Sequence, residues 1–146
     1  MSKSEIQASP LFRFEEGKEI PLEALMGLYE SVEWKAYTRD PALMALILPN
    51  SLYYRSAWAG ENLAGLIRVV GDGLSIIYIQ DLLINPRYQS QKLGKNLLVH
   101  VIEKYSHVRQ IVLITDNLEK NRKFYEACGL RQAEVYGVSA YVRFIL

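Results

Sequence analysis

The stretch Leu74–Asn85, LSIIYIQDLLIN, constrains the fold more than any other part of the chain. It is apolar almost throughout and rich in β-favouring residues. Such a strand belongs in the interior of a sheet rather than at a solvated edge. Two β-rich runs precede it, SLYYRSAWAG and NLAGLIRVVGDG, with turn signals at Gly60-Glu61-Asn62 and Gly71-Asp72-Gly73. Three consecutive strands with short links predict an antiparallel meander. The next segment, NPRYQSQKLGKNLLVHVIEKY, begins as a loop and ends as a helix. Leu93, Leu97, Leu98, Val101, Ile102 and Tyr105 share one face of that helix, predicted over about 91–105.

The flanking regions complete the order. LFRFEEG reads as a first strand. Leu22, Leu25, Met26, Tyr29 and Val32 recur at helical spacing after Pro21, a residue suited to a helix start. DPALMALILPN reads as a second short helix with Asp40 as its cap. QIVLITD is a compact strand, and EKNRKFYEACGL a helix closed by Gly129. AEVYG and AYVRFIL are predicted as two last strands. The order β-α-α-β-β-β-α-β-α-β-β gives an α+β or mixed α/β fold. With no repeat or linker, residues 1–146 read as one domain.

Bulk properties exclude several classes. Seventeen Lys and Arg against 16 Asp and Glu leave a net charge of +1, unlike the clearly basic balance of a nucleic-acid binder. The lone Cys128 allows no internal disulfide, which fits a reducing compartment. No apolar run reaches the roughly 18 residues of a membrane span, and the start, MSKSEIQASP, is polar. A cytoplasmic protein with no nucleic-acid partner, no membrane association and no metal is expected. His100 and His107 read as structural or exposed. No histidine is paired with Cys128 to make it a nucleophile.

A strand running through a short loop into a helix aims the helix's first N–H groups beyond the strand, where they favour an anion. The Walker pattern does not fit, because Gly94-Lys95 is preceded five residues earlier by Gln89 and followed by Asn96. The three spaced glycines of the dinucleotide fingerprint are absent as well. YIQDLLINPRYQSQKLGKNLL instead resembles the acetyl-CoA-binding segment of the GNAT superfamily of N-acetyltransferases. Ile84-Asn85-Pro86 matches the strand exit, and Gln89-Ser90-Gln91-Lys92-Leu93-Gly94 the loop. Lys92 replaces the first glycine of that pattern; Gly94 keeps the second. Further on, TDNLEKNRKFYEACGL resembles the family's later helix, with Phe124-Tyr125 and Gly129-Leu130 in matching spacing.

The resemblance implies the GNAT fold: a mostly antiparallel central sheet with splayed middle strands and flanking helices. It implies acetyl-CoA as co-substrate. The backbones of Gln89, Ser90, Gln91, Lys92, Leu93, Gly94 and Lys95 would hold its pyrophosphate, and those of Leu82, Leu83 and Ile84 its pantetheine arm. Lys92 would pair with a phosphate, obstruct the loop, or simply be a solvated lysine on the first turn of the helix. Tyr125 matches the family tyrosine near the cofactor sulfur and is the expected general acid; otherwise it is a packed aromatic. Asp81 is a base or a structural acceptor. Asn117, offset by one from the family asparagine, and Asn121 are the candidates for a contact to the arm. Trp34, Tyr37 and Tyr53, with Tyr54, supply aromatic surface for the acceptor, a small-molecule or peptide amine. The expected activity is N-acetyl transfer by direct attack. The alternatives are a GNAT-fold module that binds acyl-CoA or a partner without turnover, or a self-associating protein, and a homodimer fits any of them.

Overall fold

A computed structural model describes residues 12–145. The chain divides into two compact units, one comprising the described residues up to Ile114 and the other those from Thr115. No helix among the described residues is long and apolar enough to cross a membrane.

In the first unit, β1 (Arg13–Glu16) leads to α1 (Leu22–Ser31), α2 (Lys35–Thr38) and α3 (Pro41–Ile47). The meander β2 (Tyr53–Ala59), β3 (Asn62–Gly71) and β4 (Ile76–Ile84) follows, then α4 (Leu93–Lys104) and β5 (Gln110–Leu113). The five strands form one sheet in sequence order. All neighbours are antiparallel except β4 and β5, which are parallel. The expected meander, and an apolar strand flanked on both sides, are therefore present. Asp40 caps α3 by accepting from the Leu43 N–H at 3.2 Å, as its position before Pro41 suggests. The one-turn helix α2 has no counterpart in the sequence reading; four residues carry too little periodicity to reveal it.

Helices cover both faces of the sheet. Leu25, Leu28 and Tyr29 of α1 and Met44 of α3 bury against Trp58, Leu63, Leu66 and Leu83. On the other face α4 buries Leu93, Leu97, Leu98 and Val101 and packs on β3 and β4. Gly65 makes the start of α4 possible: a Cβ there would lie 3.0 Å from Ile84 Cδ1 and 3.3 Å from Leu93 Cδ2. The absent side chain lets α4 begin directly over the end of β4.

The second unit contains α5 (Glu119–Ala127) and a 3₁₀ turn at Ala133–Tyr136. Gly129, at φ +97°, follows the C-cap of α5. The two final strands predicted from AEVYG and AYVRFIL are not formed. The first is the 3₁₀ turn, closed by Gly137 at φ +76°, and residues 137–145 have no regular structure. Leu146 lies outside the described residues. A strand exists through its pairing partner, and β-propensity alone does not supply one.

Candidate active site

The chemistry-bearing part of the first unit centres on the middle of β4. Parallel pairing to β5 covers Ile76–Ile79 and stops there. Antiparallel pairing to β3 continues to Ile84, but with a bulge: Arg68 pairs with Asp81 and Val69 with Ile79, leaving Gln80 as the extra residue. Beyond the bulge, β4 has β3 on one side and no strand partner on the other among the described residues. The Asn85 N–H donates to the Ala64 carbonyl at 2.9 Å. Alternation along the strand then turns Leu83 towards β3 and leaves the N–H and C=O groups of Leu82 and Ile84 on the open side. Of the three residues expected to meet the pantetheine arm, two present backbone groups there and the third is committed to β3.

The bulge also shifts side chains between faces. Tyr78 lies close enough to Tyr37 and Asp81 for both to raise its hydroxyl pKa further, after burial. Gln80 Nε2 donates to Tyr37 Oη at 3.0 Å, and Tyr29 Oη donates to Asp81 Oδ2 at 2.6 Å. The successive residues Gln80 and Asp81 thus both face α1 and α2, as a bulge allows and plain alternation forbids. Trp34 and Tyr37 stack with centroids 6.4 Å apart and an interplanar angle of 25°, and both rings meet Tyr29 edge-on. Two of the three expected acceptor residues therefore lie on the same face of the sheet as Tyr78 and Gln80. The third does not. Tyr53 sits on the α4 face, where its hydroxyl donates to Glu16 Oε1 at 2.9 Å and its ring stacks on His100. Its neighbour Tyr54 turns to the α1 face and donates to the Lys18 carbonyl at 3.0 Å.

Asp81 is 1 % exposed. Its Oδ2 accepts from Arg68 Nε at 2.7 Å and from Tyr29, while its Oδ1 is buried without a partner among the described residues. Burial, then the Asp81 charge, hold the Tyr29 hydroxyl far above the ordinary tyrosine value. The Asp81 carboxylate is closed in by a guanidinium and a phenol, away from solvent.

After β4, Asn85 accepts from the Arg87 N–H at 2.9 Å and starts a 3₁₀ turn at Pro86–Tyr88. Ser90 and Lys92 then adopt positive φ, +70° and +62°. Lys92 is the N-cap of α4 and makes no side-chain cap bond. The first N–H groups of α4 have no intrahelical acceptor. The first capped amide is that of Asn96, donating to the Lys92 carbonyl at 3.0 Å. The resemblance placed a missing glycine at position 92, and the backbone there is in the left-handed region that favours glycine. The Lys92 side chain borders a shallow groove of about 470 Å³ with Arg55, Lys95, Asn96, His100 and Glu103.

In the second unit, Tyr125 is half-buried on α5. Burial pushes its hydroxyl above the ordinary tyrosine value, and a hydrogen bond with Thr115 opposes the rise. Asn121 Nδ2 donates to the Asp116 carbonyl at 3.2 Å, closing the turn into α5. Asn117 lies exposed in that turn. Sequence reasoning missed Tyr78, Gln80 and Tyr29.

Residues 24–145 match the family described as acetyltransferase (GNAT) domain. Among solved structures, a GNAT-family acetyltransferase from Streptococcus pneumoniae TIGR4 is 30 % identical, with 92 % of this chain and 98 % of that one covered and a TM-score of 0.79. A probable acetyltransferase of unknown function from meticillin-resistant Staphylococcus aureus is 21 % identical over 92 % of this chain and 100 % of that one, with a TM-score of 0.74. The PaiA N-acetyltransferase from Thermoplasma acidophilum, solved with coenzyme A, is 18 % identical over 80 % and 89 %, with a TM-score of 0.64. The last two likenesses concern the fold.

Proposed function

The chain belongs to the GNAT acetyltransferase family, and from that premise we propose that it moves an acetyl group from acetyl-CoA to a primary amine by direct attack. The observation that carries this reading is a coincidence in the first unit. The open edge of β4 ends at the uncapped start of α4, so strand-like donors and acceptors lead straight to an anion-favouring helix end. Leu82 and Ile84 would bind the arm, and the backbone from Gln89 to Lys95 the pyrophosphate. Both units form one catalytic domain in this reading, which the family match across residues 24–145 supports.

The thioester supplies an activated acyl group; the protein's part is placement and proton movement. Trp34, Tyr37, Tyr78 and Gln80 hold the acceptor beside the β4 edge. Tyr125 donates the proton to the departing thiolate, and the proton lost by the attacking amine passes to water; burial holds the Tyr125 pKa above its ordinary value. Asp81 serves as an anchor rather than as the base. The acceptor is a small-molecule or peptide amine. The lack of any possible internal disulfide supports a cytoplasmic setting.

Calorimetry tests the cofactor reading. Acetyl-CoA is expected to bind far more tightly than acetyl-pantetheine, which lacks the phosphates; equal affinities overturn it. Free-thiol release over an amine panel tests turnover, and binding without release would leave a non-catalytic acyl-CoA module. Tyr125→Phe is expected to lower turnover by roughly 10²- to 10⁴-fold with little change in acetyl-CoA affinity. Wild-type turnover in that variant would return Tyr125 to a packing role.

A further inference from the structure

An ion pair in the core is costly unless it does something an apolar pair cannot. Arg68 and Asp81 have side chains 8 % and 0 % exposed, and Asp81 still leaves Oδ1 unpartnered. They are also direct cross-strand partners at the bulge, with Gln80 immediately beside them. The surrounding strand explains why this place needs them. Apart from Gln80 and Asp81, β4 is apolar on both faces, and the sheet is covered on both faces. The hydrophobic pattern that normally fixes register therefore discriminates weakly between neighbouring alignments. A one-residue slip would exchange one buried aliphatic set for another. The same slip would send Asp81 to the α4 face, away from Tyr29, and leave the Arg68 guanidinium buried without its carboxylate.

We infer that the Arg68–Asp81 pair is a register lock that holds the bulge at Gln80 and so sets where β4 parts from β5. The consequence for the cofactor rests on the function proposed above: by placing the bulge, the pair decides which backbone groups of β4 are free for the pantetheine arm. Tyr29 extends the lock to α1, and Gln80 extends it to Tyr37. The acceptor aromatics are thereby tied to the same point of the strand. Arg68, Asp81 and Tyr29 are positioning residues; none needs to touch a substrate.

The decisive variant is Arg68→Met/Asp81→Leu, which replaces the pair with apolar side chains. Buried ion pairs exchanged in this way often retain stability. Cross-strand Hα and amide contacts between β3 and β4, read by NMR, are expected to show the bulge displaced or several alignments in exchange. Acetyl-CoA affinity is expected to fall by about tenfold or more. Affinity for adenosine 3′,5′-bisphosphate, which has no pantetheine arm, should stay near wild type. A double variant that keeps the Arg68–Asp81 and Val69–Ile79 alignments overturns the lock. Should it fail to fold, Asp81→Asn keeps the side-chain size and removes the charge. The lock then requires more than one set of β4 signals or faster β4 amide exchange, and a single native set overturns it. Wild-type protein that binds no acetyl-CoA would sink the proposed function, while the NMR alignment would still decide the lock.

Discussion

On the α1 face of the sheet, Arg68 and Tyr29 donate to Asp81 at 2.7 and 2.6 Å. On the α4 face, Arg55 and Tyr53 donate to Glu16 at 2.8 and 2.9 Å. Each is a guanidinium and a phenol on one carboxylate, and in each the arginine and carboxylate are cross-strand neighbours. Burial separates them. Asp81 is fully covered, whereas the Glu16 side chain is 46 % exposed. In the buried cluster every group depends on its partner, because water cannot replace it. In the exposed one water and salt compete for each bond. The same chemistry can therefore hold a strand alignment in one place and remain nearly dispensable in the other.

The comparison breaks first, and most severely, at Asp81. Asp81→Ala leaves Arg68 charged in the core and is expected to cost about 3–5 kcal/mol in denaturant unfolding. A loss under about 1 kcal/mol would place the pair with surface bridges. Tyr29→Phe removes one hydrogen bond to a charged group and is expected to cost about 1.5–3 kcal/mol. On the other face, Glu16→Gln should change stability by less than about 1 kcal/mol, and the change should shrink further in high salt. A salt-independent loss as large as that of Tyr29→Phe would erase the distinction.

Acid should act on the exposed cluster in a defined order. Burial, then the Arg55 charge, lower the pKa of His100 below its ordinary 6.5. The unfolded chain therefore takes up this proton first as pH falls below 6.5, and stability declines until the folded group titrates too. Glu16 is held below its ordinary 4.5, first by the hydrogen bond from Tyr53. Its contribution is present above 4.5 and is lost as pH falls through the folded value. Relative to wild type, His100→Asn should flatten the melting temperature just below pH 6.5, and Glu16→Gln below pH 4.5. If neither profile moves, the exposed cluster carries no linkage.

How each cluster would form was not legible in the sequence to the same degree. Asp81 is a carboxylate in an apolar strand, a place where a charge needs a partner. Arg68 and Tyr29 were not identified as that partner, because they come from another strand and a helix. The sequence offers Tyr53 as aromatic surface alongside Trp34 and Tyr37, yet it lies on the opposite face. A period-two strand puts neighbours such as Tyr53 and Tyr54 on opposite faces, and only packing shows which face is which.

Features that depend on local spacing were legible in the chain alone. The i, i+3, i+4 pattern points to α1 and α4, the turn residues to the β2–β3–β4 meander, and Asp40 before Pro41 to the cap of α3. The resemblance to the GNAT loop marks position 92 as one where glycine is usual, and the backbone of Lys92 is left-handed there. Tertiary structure decided what depends on pairing between distant segments. It placed the bulge at Gln80, ended the β4–β5 pairing at Ile79, and left AEVYG and 140–145 without strand partners. Helix periodicity is written in the residues that form the helix. A strand's neighbours, and the point where it loses one, are fixed by hydrogen bonds and buried charges contributed from elsewhere in the chain.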